Sequence, residues 1–227
     1  MKRNLLLVLL FFVCSSTLAY AQQPKKVSVL GDSYSTFEGH VTPTQNAIWY
    51  FLGAPSGNTD VKEVRETWWS LLCSRDEYEL CVNNSFSGST VCNTGYNGED
   101  CVEKSFIGRM NQLGDPDIIL IFGGTNDSWA NVPIGAYQHT DWSVNDLYCF
   151  RAGMSYLLSQ MKKIYPSAQI YFILNNELKA EVDSSVMTIC DHHSVPYIEL
   201  VDIEKLSGHP SVKGMQQICQ QVANFIE

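Results

Sequence analysis

The sequence predicts an α/β fold in which five parallel strands form one sheet between two layers of helices. Five short apolar runs alternate with stretches of helical character, and no hairpin signal lies between consecutive runs. Strands joined in this way require crossover connections, which are right-handed and place helices on both faces of the sheet. Several runs end in small or polar residues, as is typical where the carboxyl ends of strands open into a ligand-binding crevice.

The predicted strands and helices follow one another along most of the chain. The strands cover residues 27–30, 78–82, 117–122, 168–174 and 197–200. The helices cover residues 66–73, 102–113, 144–164, 179–192 and 211–226. Residues 117–122 are predominantly apolar, which is the pattern of a strand buried on both faces.

Two long segments, residues 36–65 and 128–141, are predicted to be irregular. Connections of this length inside a compact domain are usually functional or disordered. The aromatic content of the first segment argues against disorder, because disordered chains are poor in such residues. These segments are therefore candidates for loops beside a functional site.

The amino terminus has the pattern of a secretory signal peptide. Two basic residues precede an apolar run at residues 5–13, and an Ala-x-Ala site ends at Ala21. The run is too short to span a bilayer, so no membrane insertion is predicted. Cleavage after Ala21 would leave residues 22–227 as a single domain in the periplasm or outside the cell. A lipid anchor on Cys14 is the less favoured alternative, because no small residue precedes this cysteine.

The charge of the chain disfavours several classes of partner. The net charge is −9, and it becomes −11 once the two basic residues of the leader are removed. Such an acidic protein is poorly suited to nucleic acid or to an anionic membrane surface. A neutral small-molecule or glycan ligand fits this charge better, and no cofactor is predicted.

The cysteine count indicates at least one free or intermolecular thiol. Seven of the eight cysteines lie outside the leader, and an odd number cannot all pair within one chain. Export permits disulfides. Cys92 and Cys101 flank a loop rich in glycine and asparagine, and we predict a bridge between them. The other cysteines are equally well explained as small buried hydrophobic side chains.

Three strand ends bring chemically useful groups to one edge of the predicted sheet. Ser33 follows the first strand, Gly88 lies in a polar turn after the second, and Asn126 follows the third. Ester hydrolysis requires a nucleophile, a base, and donors aimed at the oxygen that becomes negative. Alone, Ser33 would be interpreted as a helix cap. Together with Gly88 and Asn126, Ser33 is a candidate nucleophile. Its own N–H, the Gly88 N–H and the Asn126 side-chain amide are the candidate oxyanion donors.

His209 is the predicted base among the five histidines. The others lie in irregular segments or at a predicted helix end, where a cation is favourable without any catalytic role: His40, His139, His192 and His193. His209 stands in a loop directly before the last helix, on the side of the strand ends. Pro210 follows it and favours an extended backbone at the histidine.

These blocks resemble those of the SGNH/GDSL hydrolase superfamily in order and approximate spacing. The blocks are Gly-Asp-Ser-Tyr-Ser at 31–35, Asn-Ser-Phe-Ser-Gly at 84–88, Gly-Thr-Asn-Asp at 124–127 and His-Pro at 209–210. The resemblance spans nearly all of the chain after the leader. It implies a flavodoxin-like five-stranded sheet, Ser33 as nucleophile, His209 as base, and an oxyanion hole formed by the N–H of Ser33, Gly88 and Asn126.

One position departs from the family pattern. The family usually places an aspartate three residues before the histidine, and this chain has Leu206 there. Leucine can neither accept a hydrogen bond from the imidazole nor stabilise its charged form. We predict that a main-chain carbonyl in the turn at 207–208 orients His209, with Glu204 and Asp202 as alternative orienting acids.

The combined prediction is an exported serine esterase that removes a small acyl group from a carbohydrate, with acetyl as the favoured acyl group. Trp49, Tyr50 and Trp129 are candidate substrate contacts because aromatic rings stack on sugars, although they could equally fix the loops to the body of the protein. Esterases of lipid or aryl esters are alternatives. So is a non-catalytic glycan-binding module, which Leu206 favours and the intact Ser33, Asn126 and His209 oppose.

Among enzymes, a metal-dependent hydrolase is the second alternative to a serine esterase. His192 and His193 follow Asp191, but no partner stands at ligand spacing from them. Adjacent side chains on a helix do not face one metal ion. No metal site is therefore predicted.

Overall fold

The structure is a computed structural model that describes residues 23–54 and 56–227. The predicted leader, with its cleavage site at Ala21 and the alternative lipid anchor at Cys14, lies outside these residues. Five strands form a parallel sheet in the order β2-β1-β3-β4-β5, with helices on both faces. The predicted α/β architecture is confirmed. Within the described residues, no helix is both long enough and apolar enough to cross a membrane.

The elements of the sheet and its helices alternate as predicted, with two additions, a short helix and a hairpin. The sheet strands are β1 Lys25–Gly31, β2 Tyr78–Ser85, β3 Ile118–Gly123, β4 Gln169–Leu174 and β5 Tyr197–Glu199. The helices are α1 Trp68–Leu72, α2 Phe106–Arg109, α3 Thr125–Ala130, α4 Phe150–Ile164, α5 Ala180–His193 and α6 Val212–Ile226. The additions, neither of which the sequence predicted, are α3 and an antiparallel hairpin of β6 Lys205–Leu206 and β7 His209–Pro210.

The sheet is buried on both faces, as the apolar character of β3 predicts. Because successive side chains of a strand point to opposite faces, Ile118, Leu120 and Phe122 pack with α1 and α6. Ile119 and Ile121 pack on the other face with α2, α4 and α5. Two apolar layers therefore hold the sheet rigidly and fix the positions of its strand ends.

Two predicted helices are shorter than expected. The helix predicted at 102–113 is reduced to α2, because Ser105 caps its start and the Arg109 side chain donates to backbone carbonyls outside the helix. The helix predicted at 144–164 is divided at Cys149, where the backbone is extended, so that a 3-10 turn at Val144–Tyr148 precedes α4.

The loop before α4 is partly ordered by that helix. The first N–H groups of α4, at Phe150 and Arg151, donate to the carbonyls of Pro133 and Ile134 at 2.8 and 3.0 Å. The segment predicted to be irregular from residue 128 in fact begins within α3. The 131–143 segment, which joins α3 to α4, is therefore fastened to α4 near its start.

The predicted bridge between Cys92 and Cys101 is wrong, since all seven described cysteines are free thiols. The two side chains have different neighbours. The Cys92 sulfur lies 3.7 Å from the Thr94 carbonyl. The Cys101 sulfur instead packs so closely on Gly95 that a Cβ there would lie 2.2 Å away.

Candidate active site

The turn after β1 places Ser33 at the carboxyl edge of the sheet. Gly31 ends this strand, and a Cβ at Gly31 would lie 2.6 Å from the Ser85 hydroxyl, so only glycine permits this close approach. The chain then makes a single 3-10 turn, with the Asp32 carboxylate accepting the Tyr34 N–H at 3.0 Å. Ser33 is held at the first position of this turn and is only 3% exposed.

The β6–β7 hairpin delivers His209 to the same edge. Its two loop residues, Ser207 and Gly208, have φ angles of 49° and 78°. Two successive residues with positive φ are typical of the type I′ turn, whose twist matches that of a two-stranded ribbon. Leu206 pairs directly with His209 across the hairpin, and its side chain is 41% exposed. Leu206, which stands where the family usually has an aspartate, thus lies directly opposite His209 in the hairpin.

Ser33 and His209 form a hydrogen-bonded pair. The Ser33 hydroxyl and His209 Nε2 are 2.9 Å apart. The other ring nitrogen, Nδ1, lies 3.3 Å from the Ser207 carbonyl. With Nδ1 protonated, the imidazole donates to that carbonyl and presents the Nε2 lone pair to the serine. This is the tautomer that a general base needs.

Neither candidate carboxylate is bound to the imidazole. Glu204 accepts from the Ser211 hydroxyl at 2.7 Å and from the Lys213 ammonium at 3.0 Å. Asp202 is exposed, in a backbone turn with φ of 54°. The geometry therefore places a main-chain carbonyl, rather than Glu204 or Asp202, next to Nδ1.

Two tryptophans contact the imidazole from different sides. Trp49 stacks on His209 with ring centroids 3.7 Å apart and planes at 8°. Trp129 meets the same ring edge-on at 5.8 Å, and 42% of its side chain is exposed. Trp129 is thus available at the surface, whereas one face of Trp49 is covered by the imidazole.

Two tyrosines fix the hairpin that carries the histidine. The Tyr50 hydroxyl donates to the Pro210 carbonyl at 2.8 Å, and the Tyr34 hydroxyl donates to the Gly208 carbonyl at 2.5 Å. Both side chains are fully buried. Tyr50 therefore has no surface to offer a ligand, and its placement does not support the predicted substrate contact.

Burial lowers the pKa of His209 to about 4. The hydrogen bond to the Ser207 carbonyl opposes this shift, and the nearby charge of Lys205 adds to it. A low pKa keeps the imidazole neutral, and so able to accept a proton, far into the acidic range.

The candidate oxyanion donors are close to one another. The Asn126 amide donates one hydrogen to the Ser89 carbonyl at 2.9 Å, which leaves its second hydrogen free. Its oxygen accepts from the Tyr96 hydroxyl at 2.8 Å, which fixes the amide orientation. Gly88 has a φ of 81°, and no backbone carbonyl of the described residues accepts its N–H. The Ser33 N–H, at the start of its turn, also lacks a partner within that turn.

A buried arginine, Arg109, forms hydrogen bonds to the segments that carry the candidate site residues. Arg109 donates to the Gly31 carbonyl at 3.2 Å and to the Ser89 hydroxyl at 2.9 Å, and thereby joins the ends of β1 and β2. Burial lowers its pKa to about 9, so it stays charged at neutral pH. Burial also raises the pKa of Asp32 to about 7, although the Tyr34 N–H and the charge of Arg109 oppose that shift.

Asp127 holds the segment that follows the Gly88 turn. Its carboxylate accepts the N–H groups of Val91 at 2.8 Å and of Cys92 at 3.3 Å. Burial raises the pKa of Asp127 to about 6, while these backbone hydrogen bonds lower it. This residue of the Gly-Thr-Asn-Asp block therefore orders the neighbouring loop.

Three supporting residues were not singled out from the sequence: Tyr34, Tyr96 and Arg109. Tyr34 stands in the same block as Ser33, and that position was its only signal. Tyr96 and Arg109 act through partners that lie at least 20 positions away in the chain, which no local pattern indicates.

A parallel sheet here brings a serine, a histidine hydrogen-bonded to it and amide donors to one carboxyl edge, which are the groups that a serine hydrolase site requires. The family model described as GDSL-like lipase/acylhydrolase matches residues 25–226. The chain belongs to this family, and it is an ester hydrolase. The predicted membership in the SGNH/GDSL superfamily is confirmed.

Two solved structures are highly similar to the chain. A protein described as a GDSL-like lipase from Bacteroides ovatus ATCC 8483 is 54% identical, with a TM-score of 0.88, over 90% of this chain and 99% of that one. Its counterpart from Bacteroides uniformis ATCC 8492 is 53% identical, with a TM-score of 0.87, over 91% and 97%.

More distant structures share the fold. A family two carbohydrate esterase from Clostridium thermocellum, solved with cellohexaose, is 16% identical with a TM-score of 0.61, over 90% of this chain and 65% of that one. No curated protein matches the chain.

Proposed function

We propose that the protein is an exported serine esterase that removes a small acyl group from a carbohydrate ester. Acetyl is the acyl group that we favour. The observation that carries this proposal is the 2.9 Å contact between the Ser33 hydroxyl and His209 Nε2 beside unpaired amide donors. A nucleophile, a base and an oxyanion site are the minimum set for acyl transfer.

In the proposed mechanism, His209 Nε2 takes the Ser33 proton as the serine oxygen attacks the ester carbonyl. The Ser33 and Gly88 N–H groups and the Asn126 amide bind the resulting oxyanion. The imidazolium then gives its proton to the departing sugar oxygen, and an acyl-serine remains. Water, activated by the same imidazole, attacks the acyl-serine, and the proton returns to Ser33 as the acid is released.

The burial of the reacting groups supports a small acyl group. Ser33 and His209 are 3% and 5% exposed. A long acyl chain needs an apolar channel beside the nucleophile, whereas an acetyl group needs little space.

Exposed aromatic rings next to His209 and Asn126 support a carbohydrate as the alcohol part of the ester substrate. Trp129 is 42% exposed and Tyr96 is 37% exposed, and they contact His209 and Asn126 respectively. Flat aromatic surfaces beside a polar site suit sugar rings. The fold-level likeness to the Clostridium thermocellum carbohydrate esterase is an analogy in the same direction.

The proposal is tested with acetylated oligosaccharides and an activated acetyl ester as substrates. We expect Ser33→Ala to abolish release of acetate from both, because loss of the attacking group costs many orders of magnitude in rate. Ser35→Ala is the matched control, since it removes a buried hydroxyl from the same turn that accepts from the Trp68 indole N–H. Retained turnover in Ser33→Ala, or equal losses in both variants, would rule out the serine mechanism.

Two separate experiments test the substrate class and the export of the protein. Turnover of the activated ester without release of acetate from any acetylated glycan would refute the carbohydrate assignment alone. Amino-terminal sequencing of protein recovered outside the cytoplasm is expected to begin at Gln22.

A further inference from the structure

Three histidines that are distant in the sequence meet on the outer side of the α4–α5 layer. His139 comes from the 131–143 segment, and His192 and His193 end α5. One ring nitrogen from each residue lies within 4.8 Å of the others. The rings of His139 and His192 stack with centroids 3.6 Å apart. The expectation that the adjacent pair has no partner is wrong, because the loop supplies His139. The two adjacent side chains stand in the last turn of α5, and one ring nitrogen of each lies in the same cluster.

A buried serine underlies the cluster. The Ser155 hydroxyl, on α4, lies 2.9 Å from His139 Nδ1 and 2.8 Å from His193 Nε2. Its side chain is fully buried. A hydroxyl oxygen has two lone pairs, so it can accept an N–H from both rings. The opposite nitrogen of each ring then carries a free lone pair, which is the arrangement usual for metal-bound histidines.

We propose that His139, His192 and His193 bind one divalent ion of the first-row transition metals, with zinc the ion that fits best. Imidazole nitrogens are ligands for zinc, copper and nickel, whereas magnesium and calcium prefer oxygen. Zinc accepts three histidines and a water in a tetrahedral site.

The cluster has to rearrange to bind such an ion, because the rings of His139 and His192 are stacked within 13° of parallel and one ion cannot lie in the plane of both. Tetrahedral zinc with nitrogen ligands at about 2.1 Å requires nitrogens about 3.4 Å apart, so a pair at the 4.8 Å limit of the cluster has to approach by about 1.4 Å. His192 is exposed, so its ring can turn out of the stack with His139 toward solvent. His139 and His193 are already oriented by Ser155, so the ordering entropy falls mainly on one side chain.

The ion would fasten the 131–143 segment to the end of α5. Two carbonyls of that segment already accept N–H groups from the start of α4, and His139 would add a second attachment near the middle of the segment. None of the three histidines contacts Ser33 or His209 among the described residues. The site is therefore assigned to stability and not to ester hydrolysis.

The test uses tag-free, chelator-treated full-length protein titrated with zinc chloride by calorimetry. Wild type is expected to bind zinc one to one, and to melt at a higher temperature when zinc is present, because an ion that binds only the folded state stabilises it. His139→Ala and His192→Ala should each weaken binding at least about tenfold, since even an outer hydrogen-bond partner is worth 10–100-fold. His40→Ala, at an exposed histidine elsewhere, is the control and should bind as wild type does.

The outcomes separate the histidine site from other zinc binding. The seven free thiols are retained in every variant, so equal zinc affinity in wild type and both variants would assign binding to cysteines and overturn the proposal. No binding by wild type would overturn it as well. Circular dichroism checks that each variant is folded, and exposed His192 gives the variant least prone to a folding defect. Calcium and magnesium are expected to produce no binding.

Discussion

Leu206 lies opposite His209 in the hairpin, so Leu206→Asp would place a carboxylate beside an imidazole whose Nδ1 now has a carbonyl as its partner. Directly opposed residues of an antiparallel pair have Cβ atoms about 4.5–5.5 Å apart. An anion at this distance favours the charged imidazolium and therefore raises the pKa of His209. The substitution supplies the acid that the family usually has at this position.

The size of the shift follows from the geometry. Two unit charges about 5 Å apart at an effective dielectric constant of about 20 interact by ~3 kcal/mol, which is about 2 pKa units. Because the Leu206 side chain is 41% exposed, solvent screening reduces this value. We expect the pKa of His209 to rise by about 1–2 units from its value of about 4.

The assay is the pH dependence of kcat/KM for an activated acetyl ester, which reports the pKa of the base in the free enzyme. The neutral imidazole is the active form, so activity is lost as the pH falls through the pKa of His209. The wild-type acidic limb should therefore lie near pH 4, and the Leu206→Asp limb should lie about 1–2 units higher. Leu206→Asn, of similar shape and without charge, is the control and should keep the wild-type limb.

Two results would refute this reasoning. A wild-type limb near the ordinary histidine pKa of about 6.5 would show that burial does not control His209. If the acidic limbs of the kcat/KM profiles of Leu206→Asp and Leu206→Asn fall at the same pH, the side chain at position 206 does not reach the imidazole.

Three further predictions concern the groups around the same imidazole. Asn126→Ala should lower kcat by roughly 10²–10³-fold with little change in KM, because its amide is aimed at charge that develops only in the transition state; a change in KM alone would make it a substrate contact. Asp202→Ala and Glu204→Ala should each keep kcat/KM within about threefold of wild type, since neither carboxylate contacts His209; a loss of several orders of magnitude in either would identify an orienting acid. Trp49→Leu should lower kcat by about 2–5-fold, because a ring face stacked on an imidazolium is worth about 0.5–1 kcal/mol. Trp49→Phe should recover part of the loss, and an unchanged kcat in Trp49→Leu would exclude this role.

Most of the strands could be predicted because each is a local apolar run that ends in small or polar residues. The strand β2 differs, since it continues to Ser85 through the asparagines expected to end it at residue 82. The β6–β7 hairpin could not, since strands of two residues have no measurable periodicity. Its turn did leave a signal, because Ser207-Gly208 is a dipeptide typical of turns. The carbonyl expected in that turn lies next to the imidazole, at Ser207, because the positive φ at both loop residues folds the chain back on itself.

The remaining differences arise from contacts between distant parts of the chain. The predicted helix at 102–113 has suitable residues, but Arg109 is drawn into hydrogen bonds with the ends of β1 and β2. His139 reaches His192 from a loop that no sequence pattern orders. In each case the decisive partner lies beyond the reach of any local window, so tertiary contacts override the local preference.

An orienting acid has two functions in a catalytic triad, since it fixes the tautomer of the histidine and stabilises the imidazolium. In the proposed mechanism these functions are separated. The Ser207 carbonyl fixes the tautomer, and the Tyr34 and Tyr50 hydroxyls hold the hairpin that carries this carbonyl. The stacked face of Trp49 can stabilise the imidazolium without adding a negative charge that would raise the pKa of the resting base. A base held in this way stays neutral at lower pH than one paired with a carboxylate, and it gives up part of the stabilisation of the charged intermediate.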